Sequence, residues 1–177
     1  MHDLSTSILE TPIGPLVLRA DRDAVREVRF ANDARPAPET TRRTGPLREL
    51  ERELKAYFRG RVQKFETPCE PLIGTEFQRQ VWNALRGIPF GETRSYGEIA
   101  EQIGRPSAVR AVGAANGRNP IPILVPCHRV VGSNRSLTGF GGGLEAKKAL
   151  LELEGLEVDS RGQSLAREPM LPFGASV

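Results

Sequence analysis

Cysteine and histidine are nearly absent: the 177 residues contain two of each, Cys69 and Cys127, His2 and His128. At most one disulfide can form, which excludes a disulfide-stapled secreted scaffold and makes reduced thiols the expectation. No C-x-x-C or H-x-x-x-H spacing occurs, so no metal site is expected. No apolar run approaches the roughly 18 residues that span a bilayer. Met1-His2-Asp3-Leu4 also lacks the basic-then-apolar pattern of a secretory leader. The expectation is a soluble intracellular protein with no membrane partner. No internal repeat is present, and Lys and Asp are both missing between Glu76 and Arg129.

What is there is ordinary in bulk and uneven in distribution. Hydrophobic residues make up 38% and charged residues 27%, the balance of a globular chain with room for one domain or two small ones. The formal charge is only +3, yet the stretch from Glu76 to Arg129 holds Arg79, Arg86, Arg94, Arg105, Arg110, Arg118 and Arg129 against Glu76, Glu92, Glu98 and Glu101. The net positive charge of the chain sits there, and phosphate contact is expected there if anywhere.

Periodicity divides the chain into an α+β beginning and a helical remainder. Ser7–Glu10 and Leu16–Ala20 flank the turn signal Pro12-Ile13-Gly14-Pro15 and predict a hairpin, and Ala24–Phe30 alternates like a third strand. Asn32 to Pro46 is polar and proline-containing and predicts a surface loop. Leu47, Leu50, Leu54 and Phe58 then recur at helical spacing, with Gly60 as the stop. Glu66–Gly74 is a linker. After it Thr75 caps a helix carrying Phe77, Val81, Trp82 and Leu85. Tyr96–Ile103 and Ala108–Asn116, separated by Gly104, outline a helix-turn-helix, an outline that many bundles share. A last helix, Leu144–Leu153, directs Leu144, Ala146, Leu150 and Leu151 inward. Residues after Val158 read as a loose tail. The boundaries predicted are therefore 1–70, 75–158 and 159–177.

Chemistry concentrates in Ile121-Pro122-Ile123-Leu124-Val125-Pro126-Cys127-His128-Arg129-Val130-Val131. A cysteine nucleophile acts as its thiolate, and a free thiol is mostly protonated at neutral pH, so it needs a base and a positive charge nearby. His128 and Arg129 are the candidates. A carboxylate orienting the imidazole would complete a relay, but spacing does not say which one. On the residues alone, Cys127 reads equally as a small buried hydrophobe beside a strand end.

The segment Pro126–Val131 resembles the active-site signature of the O6-alkylguanine-DNA alkyltransferases, also called methylated-DNA–protein-cysteine methyltransferases. Gly74–Trp82 and Ile88–Thr93 resemble the entry to that family's DNA-binding half. Ser95–Ala100 and Arg110–Gly113 resemble the two helices of its helix-turn-helix. Gly117–Pro120, Thr138–Leu144 and Glu154-Gly155 continue the match. The resemblance is close from about Gly74 to Gly155 and general before that. It implies a ribonuclease-H-like N-terminal domain of one small sheet with a helix, followed by the mainly helical domain.

The resemblance also implies roles. Cys127 would accept the alkyl group irreversibly from O6-alkylguanine, and from O4-alkylthymine, with no cofactor. His128 would deprotonate it through a water, oriented by Glu154. Tyr96 would donate to the departing guanine and help turn the nucleotide out, and Asn119 would hold the turn before the active site. Arg110 would fill the gap left in the base stack, with the recognition helix in the minor groove, where the sequence code is degenerate. Arg105 and Ser133 would touch the DNA backbone. Val130, Phe140, Gly141 and Pro122 would line the pocket, and the glycines after Phe140 would leave room for adducts larger than methyl. The implied partner is double-stranded DNA, bound by a monomer in the cytoplasm at the nucleoid, or in the nucleus of a eukaryote. Taken singly, Glu154, Arg110 and Tyr96 also fit a solvated carboxylate, a surface arginine and a core aromatic. Two rivals remain: an alkylation-sensing DNA-binding regulator and a Cys-His hydrolase.

Overall fold

The computed structural model describes residues 4–31 and 45–166. The predicted loop from Asn32 lies almost wholly outside them, as does the tail beyond 166. Strands β1 (Ser5–Leu9), β2 (Leu16–Ala20) and β3 (Val25–Phe30) form an antiparallel meander in the order β1-β2-β3. Gly14, at φ +96°, supplies the left-handed turn residue between the first two. Helix α1 (Gly45–Tyr57) packs on the sheet through Leu47, Leu50, Leu54 and Tyr57. The inward position at its end is Tyr57, fully buried, rather than the predicted Phe58, which is half-buried. A spacing of three, four and three residues keeps Tyr57 on the stripe, whereas Phe58 drifts off it. Of the ribonuclease-H-like expectation, the described residues contain this meander and its one helix.

Helix α2 (Glu76–Arg86) opens with a reciprocal capping box between Thr75 and Gln78. Strand β4 (Arg94–Ser95) leads into α3 (Tyr96–Gln102), which has the same device between Ser95 and Glu98. Gly104, at φ +71°, turns the chain, and α4 (Val109–Gly117) follows. The Trp82 indole donates to the Ala115 carbonyl at 2.9 Å, tying α2 to α4. Residues Cys127–Arg129 form one 3-10 turn, leading into β5 (Val130–Val131), which pairs in parallel with β4. That pairing seats the start of α3 beside the strand that follows Cys127.

Helix α5 (Leu144–Leu153) has its predicted bounds, but Leu144 is 45% exposed and the inward stripe contains Lys147 instead. Leu144 occupies the first position of the helix, before the turn that faces the core. Residues 159–166, expected to be loose, fold back: Leu137 N–H donates to the Gln163 carbonyl, Leu165 N–H to that of Arg135, and Leu165 is buried with Val131, Leu137 and Leu151. One apolar alternation in a polar stretch was too short a signal to read. The two halves of the chain share one buried cluster running from Leu9 through Leu150. No helix among the described residues is long and apolar enough to cross a membrane.

Candidate active site

The site is built where the sheet meets the turn before Cys127. Val28 N–H on β3 donates to the Pro120 carbonyl at 2.9 Å. Asn119 then closes the turn on itself: its Nδ2 donates to the Val125 carbonyl at 2.7 Å and its Oδ1 accepts from Ile121 N–H at 3.0 Å. Inside this loop Ile123 is held at φ +76°. A β-branched residue there is strained. The loop delivers Cys127 to the floor of a cleft of about 200 Å³, lined by Asn119, Pro122, Phe140 and Gly141 and, from β3, by Val28, Arg29 and Phe30. The Phe30 ring meets Phe140 edge-on at 5.5 Å and stands where a side chain on Gly142 would be.

Behind Cys127 lies a buried polar cluster centred on Glu154, at the end of α5. Its Oε1 accepts from His128 Nε2 at 2.8 Å, from the Tyr57 hydroxyl at 2.7 Å and from Arg129 Nη2 at 2.9 Å. Its Oε2 accepts from Arg129 Nε at 2.8 Å and from Gly91 N–H at 3.3 Å. Burial alone would raise the Glu154 pKa, but the His128 and Arg129 hydrogen bonds outweigh it and hold the carboxyl at about 2. An ionised Glu154 fixes the proton of His128 on Nε2. Burial also lowers the His128 pKa, so the ring is neutral at pH 7 and Nδ1 offers a lone pair. Nδ1 has no hydrogen-bond partner among the described residues.

The thiol itself is costly to ionise. Burial raises the Cys127 pKa to about 11, opposed by a hydrogen bond from Asn119 and by the charge of Lys147. Arg129, expected to favour the thiolate, turns away to Glu154 and the Ile88 carbonyl. That opposing charge comes from Lys147, buried on α5 with its ammonium on the Val130 and Thr138 carbonyls, which the sequence reading missed. The readable signal was its position on the α5 stripe, one residue past Ala146 and three before Leu150.

The other predicted residues fall around this centre. Val130 is fully buried, and its carbonyl accepts from Lys147. Tyr96 is half-buried against Gly113 of α4, and its hydroxyl accepts from Thr138. It does not line the cleft in this structure. Arg110 is exposed on α4 and Ser133 is exposed after β5. Arg105 is exposed in the turn, its guanidinium 5.8 Å from the Phe77 ring. Cys69 sits apart, half-buried beside Arg86.

A family profile described as 6-O-methylguanine DNA methyltransferase, DNA binding domain, matches residues 76–156. A methylated-DNA–protein-cysteine methyltransferase of Methanosarcina acetivorans is 50% identical over 152 residues, covering 84% of this chain and 97% of the relative. The chain belongs to this family. The fold agrees: the crystal structure of Mycobacterium tuberculosis O6-methylguanine methyltransferase superposes with a TM-score of 0.77 at 45% identity, covering 85% of this chain and 92% of that one. A structure of the Mycobacterium tuberculosis protein OGT in complex with DNA gives 0.75 at 47% identity, covering 83% and 90%. The motif around Cys127 thus lies in a methyltransferase-family chain whose match extends over most of both halves.

Proposed function

We propose that the protein repairs DNA by moving the alkyl group from O6 of guanine, and from O4 of thymine, onto Cys127, each molecule acting once. The observation that carries this is the thiol on the floor of a cleft beside a neutral His128 whose Nδ1 is unpartnered among the described residues and whose Nε2 is fixed by Glu154. His128 takes the thiol proton. The sulfur then forms a bond to the alkyl carbon as the carbon–O6 bond breaks, and the electron pair leaves with the guanine oxygen. Tyr96, beside the cleft loop through Thr138, donates to the departing base. Membership of a methylated-DNA–protein-cysteine methyltransferase family supports the reaction class, and the thioether formed has no leaving group for hydrolysis, which supports a single turnover.

Peptide mass spectrometry after incubation with duplex DNA carrying O6-methylguanine tests this. Trypsin releases Asn119 to Arg129 with Cys127 and Phe65 to Arg79 with Cys69. The first peptide is expected to gain one methyl for one hydrogen, saturating at one per protein. An unmodified Cys127 peptide from folded protein would sink the proposal and leave lesion binding or regulation.

Arg110 is exposed on α4 and is proposed to fill the base stack when the target nucleotide leaves it. Flipping costs a few kcal/mol, so Arg110→Ala is expected to slow repair of duplex DNA by about 30-fold, equivalent to about 2 kcal/mol. The reaction with free O6-benzylguanine, which needs no flipping, is expected to keep its wild-type rate. Equal losses on both substrates would place Arg110 outside this role.

A further inference from the structure

Arg135 stands at φ +66° in the turn that follows β5, a left-handed conformation that favours glycine. The turn does not need its side chain. Arg135 N–H donates to the Gly132 carbonyl at 2.8 Å, Gly132 N–H donates to that of Ser136 at 2.9 Å, and Asn134 Oδ1 accepts from Ser136 N–H at 3.1 Å. Glycine would fit the same backbone without strain. Nor does the fold use the guanidinium. The side chain is half-buried, has no partner among the described residues, and leaves its buried Nε without an acceptor. A guanidinium keeps its charge, so one residue holds a strained backbone and an unmatched cation together.

Arg135 lines an open cleft of about 480 Å³, separate from the one that holds Cys127, with Ser133, Arg94 and Ser95. Two carboxylates that share this cleft are already engaged: Glu92 pairs with Arg94 at 3.0 Å, and Glu98 accepts from Ser95 N–H at 2.6 Å. Arg135 is the charge left over. Both walls, the turn and the start of α3, lie within the span matched by the DNA-binding family profile. We propose that Arg135 grips a backbone phosphate of bound DNA, seating the duplex between the turn after β5 and the first helix of the helix-turn-helix. This rests on duplex DNA being the partner. Two N–H groups of a guanidinium match the two free oxygens of a phosphodiester. Such a contact carries no sequence information and fixes only how the duplex is seated. Glycine would relax the backbone but could not make it.

The test is salt-dependent binding to an undamaged DNA duplex by wild type, Arg135→Gly and Arg135→Lys, with thermal melting alongside. In Arg135→Gly the affinity is expected to fall roughly tenfold at about 0.1 M salt. The slope of log K against log salt is expected to flatten by about 0.9, the share of one phosphate contact. Its melting temperature is expected to hold or rise, since glycine relieves the left-handed backbone. Arg135→Lys keeps the charge and is expected to hold the wild-type slope. Affinity and slope in Arg135→Gly equal to those of wild type overturn the proposal. So does a slope lost equally in Arg135→Lys, which would trace the loss to the turn rather than to the charge. A wild-type protein without affinity for the duplex would remove DNA as the partner and this proposal with it, a result distinct from wild type and variant binding alike.

Discussion

Glu154→Gln is expected to slow alkyl transfer by roughly 100-fold or more, the scale of a lost general base, and to lower the melting temperature sharply. The two effects share one cause. Glu154 accepts five hydrogen bonds from Tyr57, His128, Arg129 and Gly91. A glutamine amide can accept at one atom only, and its NH2 must face donors. The Arg129 guanidinium would stay buried with its charge unpaired, a change that costs about 3–5 kcal/mol when one partner of a buried pair is removed. Against a total stability of about 5–15 kcal/mol, that is a large fraction. For a chain of this length it corresponds to a fall of about 10 °C or more. Thermal melting and single-turnover transfer assays measure the two losses separately.

The pH dependence carries the same signature with a definite sign. The Glu154 carboxyl is held at about 2 in the fold, below its ordinary value of 4.5. Its contribution to stability is therefore complete above pH 4.5 and is lost as pH falls through about 2. Wild-type stability is expected to drop across that window, and the drop is expected to shrink in Glu154→Gln. A wild-type acid profile matched by the variant would mean that the cluster is not what holds α1, α5 and the active-site turn together.

The cluster also shows where the sequence was legible and where it was not. The capping residues Thr75 and Ser95, the glycine turn at 104 and the apolar stripes of α2 and α5 were readable because each acts within a few residues of chain. Cys127 and His128 were readable as a candidate pair for the same reason, although on the residues alone Cys127 read equally as a small buried hydrophobe. Glu154 is different. On its own it is a carboxylate at a helix end, and only the resemblance to a family connected it to His128. Tyr57 was invisible as a partner, because its hydroxyl meets Glu154 through packing of α1 from the other half of the chain. Arg129 was misdirected toward the thiol, since adjacency in sequence does not say which way a side chain leaves a 3-10 turn. Lys147 was passed over because a charged residue on an apolar stripe reads as solvent-facing until the carbonyls that receive it are placed.

Asn119 offers the second large effect, and two substitutions separate its two roles. Asn119→Ala removes the donor to the Val125 carbonyl and the acceptor for Ile121 N–H in one change. Leaving such groups unsatisfied costs about 1–3 kcal/mol each, so a loss of about 2–6 kcal/mol is expected. The turn has little to fall back on, because Ile123 is held at φ +76° and relaxes once its ties are cut. Relaxation moves Cys127 away from its place in the cleft, and transfer slows with stability. Asn119→Asp keeps the acceptor for Ile121 but sets a carboxylate oxygen against the Val125 carbonyl, so at neutral pH it is expected to cost at least as much stability as alanine. It also exchanges a hydrogen bond that favours the thiolate for a carboxylate that opposes it, beside a thiol that burial has already pushed up to about 11. Transfer in Asn119→Asp is therefore expected to fall further than in Asn119→Ala and to recover as pH rises and the thiol ionises. If transfer in Asn119→Asp instead shows no recovery as pH rises, Asn119 acts on the turn alone and the charge balance at Cys127 does not rest on it.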